Sequence, residues 1–286
     1  MFIYKQVDGC EIGIDFYRAT TAPAPLVVMI HGGGFVFGSR RDISKSKIDF
    51  FIGCGIHVAT IDYRLSPESS FSETLEDVED AINWIHEHIK KTGLDVTRFF
   101  VMGFSAGGFL AYHAGLLSPK ADGIISMYGY ADLSEPWCRQ ISHYYLSKTR
   151  VDFSMVSSLI GSKPISNPPS YRFLYYLYLR QQGKWIQTLF KSATPTEERL
   201  KQNSPLYGMG KDYPRTFIVH GMLDQDVPVE ASKNISAKLE SLGVSVNTIF
   251  LDHAEHDFDH KLDDQITHDV YDGIVKFIKD QEDGKF

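Results

Sequence analysis

Phe99-Phe100-Val101-Met102-Gly103-Phe104-Ser105-Ala106-Gly107-Gly108-Phe109-Leu110 is the stretch on which the reading of this chain turns. Its first four residues are apolar without alternation, as in a strand covered on both faces. Gly103 to Gly107 then turns the chain, and Phe109-Leu110-Ala111-Tyr112-His113 continues as a helix. A serine on a tight corner between strand and helix is presented as a nucleophile. The flanking glycines have a physical reason, because a Cβ there collides with neighbouring backbone, and the helix N-terminus favours developing negative charge. The bland alternative is a Ser/Gly-rich turn without chemistry.

Working outward, the runs Leu26 to Ile30, Ile56 to Ile61, Gly123 to Tyr128 and Thr216 to Val219 share the same continuous apolar character. Between two of them, Glu73 to Lys91 keeps Leu75, Val78, Ile82, Ile85 and Ile89 on one stripe, with acids early and lysines late, and Gly93 stops it. Buried strands alternating with helices predict an α/β fold, a mainly parallel sheet with helices on both faces, whose ligand sites lie beyond the carboxyl ends of the strands. Residues 2 to 18 instead alternate apolar and polar around Asp8-Gly9 and predict an antiparallel hairpin. One unit over 1–286 is expected. Some eighty residues separate the strand ending near Tyr128 from the next, too many for a plain loop. This segment is rich in aromatics, and we expect a helical cap insertion over about 134–209, although core packing alone accounts for such aromatics equally well.

His31-Gly32-Gly33-Gly34-Phe35 follows the buried run Leu26 to Ile30. Three glycines let backbone N–H groups approach a substrate oxyanion without obstruction. A flexible loop or a phosphate-binding turn is the alternative, but no Gly-Lys-Ser/Thr or G-x-G-x-x-G accompanies it. A serine hydroxyl also needs a histidine to take its proton and a carboxylate to orient that histidine, in the chain order serine, acid, histidine. His220-Gly221-Met222-Leu223-Asp224-Gln225-Asp226-Val227-Pro228 supplies Asp224 and Asp226, either of which can also cap the helix beginning near Val229. Asp252-His253-Ala254-Glu255-His256-Asp257-Phe258-Asp259-His260 supplies three histidines, with His253 and His260 as alternatives to His256. These histidines and their acidic neighbours lack the helical HExxH spacing of a metal site.

Taken together, HGGGF, GFSAGG, the acid loop, His256-Asp257-Phe258 and Asp62-Tyr63-Arg64-Leu65-Ser66-Pro67-Glu68 resemble the α/β-hydrolase esterases of the hormone-sensitive-lipase-like group and related bacterial carboxylesterases. The resemblance implies Ser105 as nucleophile, Asp224 as acid, His256 as base, and the amides of Gly33, Gly34 and Ala106 as the oxyanion hole. It implies that residues 62 to 68 support the oxyanion loop, with Ser66 where the group has alanine. A serine carboxylesterase acting on a small-molecule ester, without metal or cofactor, is the expected activity. An amidase, peptidase or arylformamidase uses the same residues, and a non-catalytic ligand-binding protein on this fold is a further alternative. Only thirty residues precede His31, too few for that group's N-terminal helical cap, so the cap is expected from the insertion.

Composition agrees with this class. The 286 residues, 43% hydrophobic and 23% charged, suffice for a large core. A net charge of −7 opposes nucleic-acid binding, which needs clustered Lys and Arg. No apolar run approaches the roughly 20 residues of a membrane span. Cys10, Cys54 and Cys138 match neither a disulfide framework nor metal-ligand spacing. With no secretory signal visible, a cytoplasmic location is expected, and the oligomeric state is left open.

Overall fold

The computed structural model describes residues 1–260, 262 and 264–280, so the last six positions of the unit expected over 1–286 lie outside the described residues. Eight strands form one sheet among these residues. They are β1 (Phe2–Val7), β2 (Cys10–Tyr17), β3 (Ala24–Ile30), β4 (His57–Ile61), β5 (Val96–Phe104), β6 (Gly123–Met127), β7 (Thr216–Gly221) and β8 (Val246–Leu251). Their order is β1-β2-β4-β3-β5-β6-β7-β8. β1 and β2 form the expected hairpin, with Val7 paired to Cys10 across Asp8-Gly9, and β2 meets β4 antiparallel. From β4 to β8 every pairing is parallel.

Alternate residues of β3 show why its run is continuous. Leu26, Val28 and Ile30 pack on one face of the sheet, and Val27 and Met29 on the other, all fully buried. Each such side chain contributes roughly 1.5–3 kcal/mol by leaving water. The first face is covered by α2 (Phe71–His88), α3 (Ala106–Ala114) and α10 (Val229–Ser241), and the second by α1 (Lys45–Gly53) and α11 (Gln265–Lys279). α2 begins two residues before the predicted start, because Ser70 and Glu73 form a capping box and Phe71 joins the core. Its last turn tightens into a 3-10 helix at Ile89–Thr92, ended by Gly93 with φ +73°.

Between β6 and β7 run six short helices: α4 (Pro136–Arg139), α5 (His143–Leu146), α6 (Phe153–Val156), α7 (Phe173–Gln182), α8 (Trp185–Leu189) and α9 (Glu197–Gln202). They are joined to the loops at the carboxyl ends of the strands. Trp185 Nε1 donates to the Gly34 carbonyl at 2.8 Å, and Arg172 Nε donates to the Val36 carbonyl at 2.7 Å. No helix among the described residues is long and apolar enough to cross a membrane.

Candidate active site

Ser105 stands between β5 and α3 with φ 54° and ψ −116°. A non-glycine residue there is strained, at a cost on the order of 1–3 kcal/mol. The surroundings impose that conformation. The Ser105 amide donates to the Met127 carbonyl at 2.9 Å, while the Ser105 carbonyl accepts the Gly108 amide at 2.8 Å. A Cβ on Gly103 would stand 1.8 Å from the Gly107 carbonyl oxygen, and one on Gly107 would stand 2.1 Å from that of Ile30. Only glycine on both sides lets the corner close.

Ser105 Oγ lies 2.9 Å from His256 Nε2, and His256 Nδ1 lies 2.6 Å from Asp224 Oδ2. These side chains come from three loops, following β5, β7 and β8. Asp224 is held from four sides. Its Oδ1 accepts the amides of Asp226 and Val227, both at 2.9 Å, and its Oδ2 accepts from His256 and from the buried His220, whose Nε2 is 3.0 Å away. Burial works against the Asp224 charge, but the hydrogen bonds from both histidines outweigh it and hold the carboxyl well below the usual range. Burial likewise opposes charge on His256, yet the hydrogen bond and charge of Asp224, with smaller help from Asp226 and Asp257, push the imidazole up to about 9.

The glycine loop lies beside Ser105. Residues 31 to 34, Ser105 and His256 line one cavity of about 440 Å³. Among the described residues the amides of Gly33, Gly34 and Ala106 donate no hydrogen bond within the protein. Tyr63 supports the loop from the β4 end, its hydroxyl reaching the carbonyls of His31 at 3.0 Å and Gly32 at 3.1 Å while its ring stacks on His31. Burial draws His31 down to about 4, so the ring stays neutral. Asp62 anchors Arg40, Arg64 pairs with Asp77, and Glu68 pairs with Arg172, so residues 62 to 68 hold the neighbouring segments together.

Asp226 has a different place from Asp224. Its carboxylate accepts the hydroxyls of Tyr145 at 2.9 Å and Tyr176 at 3.1 Å, and lies 3.5 Å from Arg180 Nη2, while its Oδ2 is 4.0 Å from His256 Nε2. His253 and His260 are exposed, although His260 reaches the cavity rim and pairs with Asp257 at 3.3 Å. Among the described residues no group of three His, Cys, Asp or Glu side chains is arranged to hold a metal ion.

A second anchor escapes sequence reading. Asp259 is fully buried and receives Tyr128 OH at 2.8 Å, Tyr271 OH at 2.6 Å and Lys47 Nζ at 2.9 Å, from three separate elements. Tyr128 also donates to Asp257 at 3.0 Å and meets the His256 ring edge-on at 4.8 Å. The acids flanking His256 thus fix the loop that carries it. The one available signal is the acid-rich spacing of residues 252 to 259, which by itself reads as solvated loop.

Comparison with known proteins agrees with this architecture. The chain is 28% identical over 313 residues to non-reducing polyketide synthase adrD of Penicillium roqueforti, covering 90% of this chain and 12% of that protein. It is 26% identical to polyketide synthase pkbA of Emericella nidulans, of which it covers 14%. The chain therefore spans about an eighth of the length of these curated relatives. A Staphylococcus aureus Mu50 protein of unknown function superposes with a TM-score of 0.77 at 27% identity, covering 96% of both chains. An α/β-hydrolase superfamily protein from Enterococcus faecalis gives 0.78 at 23% identity, covering 94% of this chain and 95% of that one. An esterase from Thermogutta terrifontis, Est2, solved with propionate bound, gives 0.67 at 20%, covering 97% and 93%. The BD-FAE family model matches residues 14–239, and with the parallel sheet and its helices the chain belongs to that family and has the α/β-hydrolase fold.

Proposed function

We propose that the protein is a serine carboxylesterase working through an acyl-enzyme on Ser105. The observation that carries this reading is the unbroken relay from Ser105 through His256 to Asp224 beside a glycine loop with free amides. His256 Nε2 takes the Ser105 hydroxyl proton as Oγ attacks the ester carbonyl carbon. The carbonyl electron pair moves onto its oxygen, which the amides of Gly33, Gly34 and Ala106 stabilise. Collapse breaks the carbon–oxygen bond to the leaving alcohol, which receives the proton from His256. Water then gives its proton to His256 and attacks the acyl carbon, and Ser105 departs with that proton as the carboxylic acid is released.

Throughout the cycle Asp224 keeps Nδ1 of His256 protonated and the imidazolium stabilised. Residues 134–209 act as the cap, closing the cavity above Ser105 through Tyr145 and Tyr176. Thermogutta terrifontis esterase 2, of the same fold, is phosphorylated by paraoxon, which recommends organophosphorus probes here.

Ser105→Ala tests the proposal: hydrolysis of short p-nitrophenyl esters and labelling by a fluorophosphonate should both vanish while the thermal melt is retained. Persistent turnover by the purified variant would sink it. Matched ester and amide substrates, compared by kcat/KM, separate an esterase from an amidase.

A further inference from the structure

We infer that Asp226, with the hydroxyls of Tyr145 and Tyr176, forms a leaving-group subsite selective for alcohols that carry an ammonium group, an inference that rests on the serine esterase reading. The alcohol oxygen must come within hydrogen-bond reach of His256 Nε2 to receive its proton. Asp226 Oδ2 stands 4.0 Å from that nitrogen and lines the same cavity, so the first atoms of the alcohol pass beside it.

The polarity of this wall follows from its hydrogen bonds. Tyr145 OH donates to Asp226 Oδ2 at 2.9 Å, and Tyr176 OH is shared between Oδ1 and Oδ2 at 3.1 and 3.2 Å. Both hydroxyl protons are thereby spent on the carboxylate, and the four oxygens offer the cavity lone pairs alone. An aliphatic alcohol would strip water from these acceptors without replacing its hydrogen bonds, whereas an N–H donor satisfies them.

Charge points the same way. Arg180 stands behind the carboxylate at 3.5 Å, closed in by the rings of Trp137, Tyr145, Tyr176 and Trp185, and is not among the cavity-lining residues. Lys47 is the sole Lys or Arg lining the cavity among the described residues, and it is paired with the buried Asp259. Asp42 and Asp257 line the cavity as well, and the rings of Tyr144 and Phe173 offer faces to a cation. No lining lysine or arginine is thus left free to repel an ammonium, and His256, which also lines the cavity, is uncharged in the form that takes the Ser105 proton.

The test compares two acetates of nearly equal shape, 2-(dimethylamino)ethyl acetate and 3-methylbutyl acetate, at neutral pH where the amine is protonated. The wild type should favour the amino ester in kcat/KM by at least about tenfold, the factor expected from a charge-assisted hydrogen bond. In Asp226→Asn this ratio should fall to about one, whatever the absolute rate. Acetylcholine, the acetate ester that carries the charge without the N–H, should fall between the two in the wild type. Should Asp226→Asn fail to fold, the wild type still decides by product inhibition, where 2-(dimethylamino)ethanol must bind more tightly than 3-methylbutanol by a similar factor. A wild-type ratio at or below one, equal inhibition by the two alcohols, or a ratio that Asp226→Asn leaves unchanged would overturn the inference while leaving the esterase reading intact. Absence of turnover for every ester, or turnover that survives Ser105→Ala, would instead remove the esterase reading itself.

Discussion

His256 Nδ1 and Asp224 Oδ2 are 2.6 Å apart, the shortest link in the relay behind Ser105, and the carboxylate holds the imidazole's proton affinity up to about 9. In the proposed role of base, His256 acts only when unprotonated. kcat/KM should therefore rise with pH, by about tenfold per unit on the acid side, and level off above the His256 ionisation. Asp224→Asn removes the charge that favours the imidazolium, so the inflection should move down toward the ordinary histidine value of about 6.5. The same substitution should lower kcat by about 10⁴ through loss of the correct tautomer. A pH–rate profile for p-nitrophenyl acetate, corrected for spontaneous hydrolysis, checks both; a wild-type inflection at or below the ordinary value contradicts the geometry.

Gly33 gives a separate test of the glycine loop. Its φ is +104°, and a Cβ would stand 2.0 Å from the carbonyl oxygen of Phe37, a backbone atom that cannot swing aside. If Gly33 is the oxyanion donor proposed, Gly33→Ala should displace its amide and lower kcat by about 10²–10³, the loss that follows removal of one such donor. KM should change much less, because the ground-state carbonyl depends little on that donor. Thermal melts run beside the kinetics separate this from unfolding.

The loops carrying Ser105, Asp224 and His256 were legible because each is a local pattern placed directly after an apolar run, and the parallel sheet brings the ends of β5, β7 and β8 to one edge. Ambiguity between Asp224 and Asp226 was built into the sequence, since two acids two residues apart carry the same spacing signal. Backbone amides separate them in the fold: Asp224 Oδ1 accepts those of Asp226 and Val227, which turns its other oxygen toward His256. Asp226 is drawn away by Tyr145 and Tyr176, residues 81 and 50 positions distant, and no periodicity encodes that meeting. The segment between β6 and β7 stands out in the sequence by its length and aromatics, but its attachments run through Trp185 and Arg172 to backbone carbonyls, which leave no mark on the sequence.

Asp259 provides a prediction about the histidine loop. Its buried carboxylate collects one lysine and two tyrosines, so Asp259→Ala leaves the Lys47 charge and the Tyr271 hydroxyl without their partner and Tyr128 with Asp257 alone. Breaking a buried ion pair from one side costs about 3–5 kcal/mol. Urea unfolding should show a loss of that size, and at temperatures where the variant is still folded kcat should also fall, since Tyr128, which meets the His256 ring, loses one of its two anchors on the loop. Full stability in Asp259→Ala would show that the network does not hold the loop.

Arg172 and Glu68 tie the chain between β6 and β7 to the segment that follows β4. Both side chains are almost completely buried, and the guanidinium faces the carboxylate with two nitrogens while Nε and Nη2 also reach the carbonyls of Val36 and Ser66. Such a fork matches a carboxylate in a way a single ammonium cannot. Arg172→Lys should therefore recover little of the stability that Arg172→Ala loses, about 3–5 kcal/mol. Val36 lies two residues beyond Gly34, so freeing its carbonyl should also loosen the glycine loop and depress kcat in both variants. Glu68→Gln, which keeps the shape and one acceptor oxygen, should fall between them and the wild type. If Lys at position 172 restores wild-type stability, the charge alone matters and the bidentate geometry does not.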